Sequence, residues 1–181
     1  MDNNINKNIT IREAVHIGAD ILRKNNIDNA DYDSYALLEN IMAIDRTYYI
    51  LHGNDILPQD IREKFESAVM KRASHIPLQH IIGKAWFYGY EYNVNENVLI
   101  PRPDTEVLVE QVLSVTDEKS YILDMCTGSG CIIITIACEK HLSKGIGVDI
   151  SPQALKVAQS NIALHDVENV TLIESDLFNN L

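Results

Sequence analysis

"YILDMCTGSGCIII", residues 121–134, joins a short apolar run to a glycine turn and then to a stretch rich in isoleucine. The theme repeats downstream: "KGIGVDI" (144–150) is a second apolar run, "SPQALKVAQSNIALHD" (151–166) has helical spacing, and "NVTLIESD" (169–176) is a third run. Strands that alternate with helices predict a parallel, doubly wound sheet, since each parallel strand needs a crossover before the next. One local signal disagrees. Ile132, Ile133, Ile134, Thr135 and Ile136 favour a strand by propensity. The glycine turn before them and the need for a crossover predict a buried helix instead.

Parallel sheets bind ligands at the carboxyl ends of their strands, where helix N-termini offer unpaired N–H groups. Those positions hold Asp124 with the 126–130 turn, then Asp149, then Asp176, so carboxylates recur along one rim. Asp149 lies 19 residues after Gly130, near the spacing of about 20 at which an acid meets ribose hydroxyls in nucleotide-binding folds. Ser151 and Pro152 then cap and start the next helix.

Several ligands fail the turn's chemistry. A dinucleotide turn needs a third glycine where Ile133 stands, and a Walker loop needs Lys then Ser or Thr where Cys131 and Ile132 stand. Asp124 would repel a pyrophosphate but suits a cationic ligand that carries an adenosine, which describes S-adenosylmethionine. The plainer alternative, a strand-to-helix turn with no ligand, accounts for the glycines but not for three rim carboxylates together.

Upstream, "PRPDTEVLVEQVL" (101–113) places Arg102 between two prolines on a stiff segment; it either contacts a ligand or carboxylate partner or simply belongs to a linker. Asp104 or Thr105 is the expected cap of the helix that follows, and Leu108, Val112 and Val115 its buried stripe. "LQHIIGKAWFYGYEYNVNENVLI" (78–100), aromatic and β-branched with Gly83 and Gly89, predicts strands joined by turns, a hairpin bridging two domains. Trp86, Phe87 and Tyr88 are expected to pack between those domains or, alternatively, to line a pocket.

The first part of the chain predicts helices. "TIREAVHIGADILRKNNI" (10–27) has Thr10 and Glu13 at capping-box spacing and Ile11, Ala14, Val15, Gly18, Ile21 and Leu22 on one face. Residues 31–44, 45–53 and 59–76 give three more, with Gly53 ending the third and Pro58 preceding the fourth. No repeat and no convergent polar set marks chemistry in this region, which fits packing or partner recognition. His16, His52, His75 and His80 lack metal-ligand spacing.

The formal charge of −11 is uneven, with 12 acids against 9 bases in residues 1–80 and 14 against 6 in residues 81–181. So few cations give no phosphate-neutralising footprint, and direct nucleic-acid binding is not expected. Cys126, Cys131 and Cys138 show no paired C-x-x-C spacing and read as reduced thiols, with no metal. No apolar run nears the roughly 18 to 20 residues of a membrane span, and "MDNNINKNIT" lacks signal-peptide blocks, so the expected location is the cytoplasm.

"PLQHIIG", "WFYGYEY", "IPRPDTE", "DMCTGSG", "GVDIS" and "ESDLF", in that order behind a helical segment, resemble the HemK-type glutamine-N5 methyltransferases that act on peptide chain release factors. The resemblance implies an α/β fold: an N-terminal helical bundle, a β-hairpin linker, and the first half of a Rossmann-like class I methyltransferase domain. It assigns residues 1–76 to substrate recognition, 77–103 to the hairpin linker, and 104–181 to the S-adenosylmethionine-dependent domain. Carried over by position, Cys126, Thr127, Gly128, Ser129 and Gly130 wrap the methionine end of the cofactor, Asp149 accepts from the ribose hydroxyls, and Asp176 with Leu177 borders the adenine. The family often has Gly at the position of Cys126 and an aromatic near Leu177.

The family's catalytic Asn-Pro-Pro-Tyr follows a fourth strand, and the sequence stops at Leu181 before it. Its job would be to grip and orient a glutamine amide. No catalytic residue is therefore expected within 1–181. On that account the chain by itself is expected to be inactive, to bind the cofactor weakly or not at all, and either to self-associate through an exposed 121–126 strand carrying Ile122, Leu123 and Met125 or to stay partly disordered after about Ser120. A release-factor-binding module without turnover and a methyltransferase for another substrate are the alternative functions.

Overall fold

The computed structural model describes residues 8–140 and 144–181; residues 1–7, which begin the 1–76 domain of the sequence reading, and 141–143 lie outside the described residues. The chain divides into two units, residues 1–82 and 83–181.

In the first unit α1 (Ile11–Lys24) opens on the expected capping box: the Glu13 amide donates to Thr10 Oγ1 at 3.2 Å and the Thr10 amide to Glu13 Oε2 at 2.8 Å. Its buried face is Ile11, Ala14, Val15, Gly18, Ala19 and Leu22, with Ile21 only half-buried. α2 (Ala30–Met42) comes so near that a Cβ on Gly18 would lie 2.5 Å from Ser34 Oγ. Glycine is therefore required there by space, and the Ser34 hydroxyl uses that approach to donate to the Val15 carbonyl at 2.7 Å. α3 (Arg46–His52) is capped by Asp45, whose carboxylate accepts the Tyr48 amide at 2.7 Å. α4 (Gln59–Ala73) starts after Pro58 and ties back to α2 through Arg72 Nε and the buried Asp33 carboxylate, 2.6 Å apart.

From Leu78 the sequence predicts strand, but Leu78–Ile82 is a helix, α5. The Pro77 carbonyl accepts from the His80 and Ile81 amides, and Leu78 is buried in the helical core. Burial of an apolar side chain on the bundle outweighs the weak β preference of an isoleucine pair.

The second unit begins with a hairpin, β1 (Lys84–Phe87) antiparallel to β2 (Tyr90–Asn93). Tyr88 and Gly89 both take positive φ, 52° and 79°, which matches the twist of a tight two-residue turn. Phe87 and Tyr92 are buried in this unit's own core, whereas Trp86 is 71% exposed. α6 (Asp104–Val115) corrects two expectations. Its N-cap is Pro103 with no side-chain cap bond, so neither Asp104 nor Thr105 serves. Val109 is fully buried and Val112 and Leu113 partly so, while Leu108 and Val115 are exposed. Both stripes obey i, i+3, i+4 spacing, and periodicity alone cannot choose between adjacent ones.

The sheet follows as β3 (Tyr121–Met125), α7 (Cys131–Glu139), β4 (Lys144–Asp149), α8 (Pro152–Leu164) and β5 (Val170–Glu174). The strands are parallel in the order β3, β4, β5, with Asp124 beside Gly147 and Asp149 beside Glu174. The isoleucine run is helical, as the crossover demands. α7 packs on all three strands and on α6 and α8, and Ile133, Ile134, Thr135 and Ile136 are buried. A helix apolar on every side is stable only where every side is covered. Each covered isoleucine contributes about 1.5 to 3 kcal/mol, enough to override β-branched propensity. Thr135, the polar member of the run, meets the Tyr92 hydroxyl at 2.7 Å. β3 forms one edge of the described sheet, with Tyr121 and Leu123 exposed.

Arg72→Ala would leave the Asp33 carboxylate buried without its partner. It should cost about 3 kcal/mol in urea unfolding of the full chain. A loss below about 0.5 kcal/mol, the level of an exposed pair, would mean that water replaces the guanidinium.

Candidate functional site

The 126–130 turn is held peptide by peptide. The Thr127 amide donates to the Val148 carbonyl at 2.8 Å, and the Gly130 amide to the Thr127 carbonyl at 2.8 Å. The Gly128 amide donates to Asp149 Oδ2 at 2.9 Å, and Asp149 Oδ1 takes the Ser151 amide at 2.9 Å. One carboxylate thus joins the turn to the start of α8, where Ser151 Oγ in turn accepts the Ala154 amide at 3.2 Å. The Asp149 carbonyl accepts the Ser175 amide at 3.0 Å, which fixes the end of β5 and brings Asp176 onto the same rim.

Gly130 sits at φ 79°, and a Cβ there would stand 2.8 Å from Ile134 Cδ1 and 3.3 Å from Ala158 Cβ, so both conformation and space select glycine. The dinucleotide fingerprint places a third glycine on the helix for close helix–strand packing. Here Ile133 occupies that position and the room comes from β4: a Cβ on Gly145 would lie 3.1 Å from Ile133 Cδ1, and one on Gly147 3.1 Å from Thr127 Oγ1.

Asp124 is partly buried and accepts from the Thr127 hydroxyl at 2.6 Å. Burial holds its pKa above the ordinary carboxylate range; the Thr127 hydrogen bond opposes that and the nearby Asp149 charge adds to it. Burial also pushes the Cys131 thiol up to about 11, so Cys131 is an inert core group. Cys126 is exposed and takes φ 62°, the left-handed region, which gives a reason for glycine at that position.

The structure therefore brings Asp124, Thr127, Gly128, Ser129, Gly130 and Asp149 together at the carboxyl ends of β3 and β4, with Asp176 and Leu177 just past β5. Leu177 is exposed, with φ 51°. Arg102 is exposed, and no side-chain hydrogen bond or ion pair of it occurs among the described residues. Its rigid setting between prolines has no partner here.

Three residues escape the sequence reading. Ile150, directly after the rim acid, is 65% exposed, and Phe178, beside Leu177, is 69% exposed, so the rim does carry an aromatic. The third is Asn161 on α8, fully buried, whose Nδ2 donates to the Ser129 carbonyl at 2.8 Å and the Asn93 carbonyl at 3.0 Å while its Oδ1 accepts the Asn93 amide at 2.7 Å. Helical spacing held the signal, because Ala154, Val157, Ala158, Asn161 and Ile162 form one face and a lone amide stands within it.

A cavity of about 580 Å³ lies elsewhere, at the amino-terminal ends of β4 and β5 between Tyr90, Cys138, His165 and Asn169. It shares no residue with the turn. Among the described residues no group of three or more His, Cys, Asp or Glu is placed to hold a metal ion, and no helix is long and apolar enough to cross a membrane.

Two outcomes follow from this geometry. Cys126→Gly relieves a left-handed side chain and gives back unfolded-state entropy, for a net gain of up to about 1 kcal/mol in urea unfolding; a loss would mean that the thiol makes contacts that hold the turn. Asp124→Asn keeps an acceptor for Thr127 but cannot ionise. Because the folded-state pKa of Asp124 is raised, ionisation weakens the fold as pH climbs past the ordinary carboxylate pKa. The Tm gain of the Asn variant should be absent well below that range and grow above it; a gain independent of pH would contradict this.

Residues 13–83 match the PrmC N-terminal domain and residues 116–181 a methyltransferase domain. The release factor glutamine methyltransferase of Cereibacter sphaeroides is 40% identical over 137 residues, 76% of this chain and 49% of that protein. That of Fusobacterium nucleatum is 37% identical over 163 residues, 88% of this chain and 46% of that protein. The chain spans about half the length of the curated relatives it matches. Among solved structures, M. jannaschii TYW2 in complex with AdoMet aligns with 51% of this chain and 42% of its own at 19% identity and a TM-score of 0.46, a likeness too partial to bear on function. In both halves, and in the same order, the chain is similar to release factor glutamine methyltransferases over about half of their length.

Proposed function

We propose that the second unit binds S-adenosylmethionine at the rim formed by Asp124, the 126–130 turn and Asp149, in the service of methylating a glutamine side-chain amide nitrogen in peptide chain release factors. The observation that carries this reading is the Asp149 carboxylate. Each of its oxygens already holds one backbone N–H, from Gly128 and Ser151, which fixes its direction and leaves each a lone pair for a neighbouring pair of hydroxyls. The donor set is also right in sign, since the turn carries no Lys or Arg to meet a phosphate, and Asp124 supplies a negative charge for a cation.

Bound at this rim, the cofactor would supply an electrophilic methyl group on a sulfonium sulfur. The chain's own residues bind and orient. Gly128, Ser129 and Gly130 offer backbone without bulky side chains. Asp124, kept in place by the Thr127 hydroxyl, faces positive charge. Ile150, Leu177 and Phe178 offer apolar surface to a base beside Asp176. We assign donor binding, and no step of transfer, to these residues.

Residues 1–76 are proposed as the part that recognises the release factor, residues 77–103 as the connecting segment, and residues 104–181 as the cofactor-binding part, working in the cytoplasm. The match of residues 13–83 to the PrmC N-terminal domain and the separate helical core support this division.

Equilibrium dialysis with labelled S-adenosylmethionine tests the site. Asp149→Ala should weaken binding by roughly 1.5 to 3 kcal/mol, the scale of hydrogen bonds to a charged acceptor, and neither NAD nor ATP should compete. Equal affinity in the variant, or displacement by NAD, would overturn the assignment. The partner is tested by interferometry, in which immobilised release factor should capture the chain and an unrelated acidic protein should not.

A further inference from the structure

Asn161 is the only side chain that ties the glycine turn to both the hairpin and α8 among the hydrogen bonds described above, and it lies outside every rim position. Its amide is saturated: both Nδ2 hydrogens go to carbonyls and Oδ1 takes an amide, in a site with no solvent exposure. A buried primary amide so fully engaged specifies geometry, because removing one partner strands the others without water.

The geometry at the turn shows what is specified. The peptide between Ser129 and Gly130 has its carbonyl on Asn161 and its N–H on the Thr127 carbonyl, so it is clamped at both ends. A flip of that peptide turns on Ser129 ψ and Gly130 φ, and Gly130, at φ 79° with no Cβ, resists its share of the rotation very little. One end of the clamp, the Thr127 carbonyl, belongs to the turn, and the other, Asn161, comes from outside it. The other external side chain is Asp149 on Gly128 N–H, already part of the rim. Asn93, at the end of β2, shares the same amide, and β2 is further held to α8 by His165 Nε2 at 2.8 Å from the Glu91 carbonyl.

We propose that Asn161 is a positioning residue: it sets the Ser129–Gly130 peptide that faces the ligand and makes the conformation of that turn depend on the hairpin being docked. The part that concerns ligand affinity rests on the reading of the rim as an S-adenosylmethionine site. The part that concerns the turn does not. A hairpin that shares hydrogen bonds with the ligand turn is a support of the site and not only a connection between the two halves of the chain.

Amide hydrogen exchange on the 181-residue chain separates these parts. In Asn161→Asp, Oδ1 can still accept the Asn93 amide while both carbonyls lose their donor. Exchange at Gly130, whose N–H is the other end of the clamped peptide, should rise at least tenfold, and exchange in the β4–β5 ladder and in α1 should stay within twofold. S-adenosylmethionine affinity should fall at least tenfold with a Tm change too small to account for it. Should that variant fold poorly, Asn161→Ser keeps a donor hydroxyl and should show the same pattern at smaller amplitude. Unchanged protection at Gly130 in a variant with a lowered Tm would overturn the proposal and leave Asn161 a packing residue. If Gly130 responds but wild-type chain binds no S-adenosylmethionine, the positioning role stands and the identity of the ligand falls.

Discussion

The Asp149 carboxylate, with the Gly128 amide on one oxygen and the Ser151 amide on the other, is the interaction on which the second unit's architecture converges. It lies at the end of the central strand, closes the glycine turn that follows β3, and orients the first turn of α8. Its carbonyl meanwhile receives β5 through Ser175. A short acidic side chain at a strand end is suited to this, since a carboxylate accepts several N–H donors at once and such charge-assisted bonds are about twice as strong as neutral ones. The same lone pairs that remain after these two bonds make the position chemically useful. Structure and proposed function therefore draw on one group.

The neighbouring carboxylate serves the opposite balance. Asp124 is partly buried, which raises its pKa, and the nearby Asp149 charge adds to this, so its ionisation opposes folding. Among the described residues of the first unit the buried polar groups, Ser34 and Asp33, are each paired within the bundle, to the Val15 carbonyl and to Arg72.

Much of this was legible in the residues because the signals were local or periodic. The alternation of runs from Tyr121 to Glu174 announced the parallel sheet, and the positions of Asp124, Asp149 and Asp176 at run ends announced its rim. The isoleucine helix was readable only through topology, since its residues favour strand and its burial on every side depends on partners distant in the chain. What failed to show had the same origin. The α6 face was misplaced by one residue because two stripes fit equally, and α5 was hidden because Leu78 is drawn into helix by a core formed from α1, α2 and α4. Helical spacing marks Asn161 as a lone amide on a buried face, but not what it holds, because its partners, Asn93 and Ser129, lie 68 and 32 residues away. The left-handed φ of Cys126 leaves no trace in a single sequence.

The central claim is that the ligand site is the carboxylate rim and not the cavity at the other end of the strands. Chemical-shift mapping on the isotope-labelled chain, titrated to millimolar S-adenosylmethionine so that weak binding registers, tests it most directly. The account predicts that the amides of Gly128, Ser129, Gly130, Ile150 and Ser151 move together along one binding curve while those of α1 to α4 stay fixed. Shifts confined to Tyr90, Cys138, His165 and Asn169, or none at the rim at saturation, would contradict it.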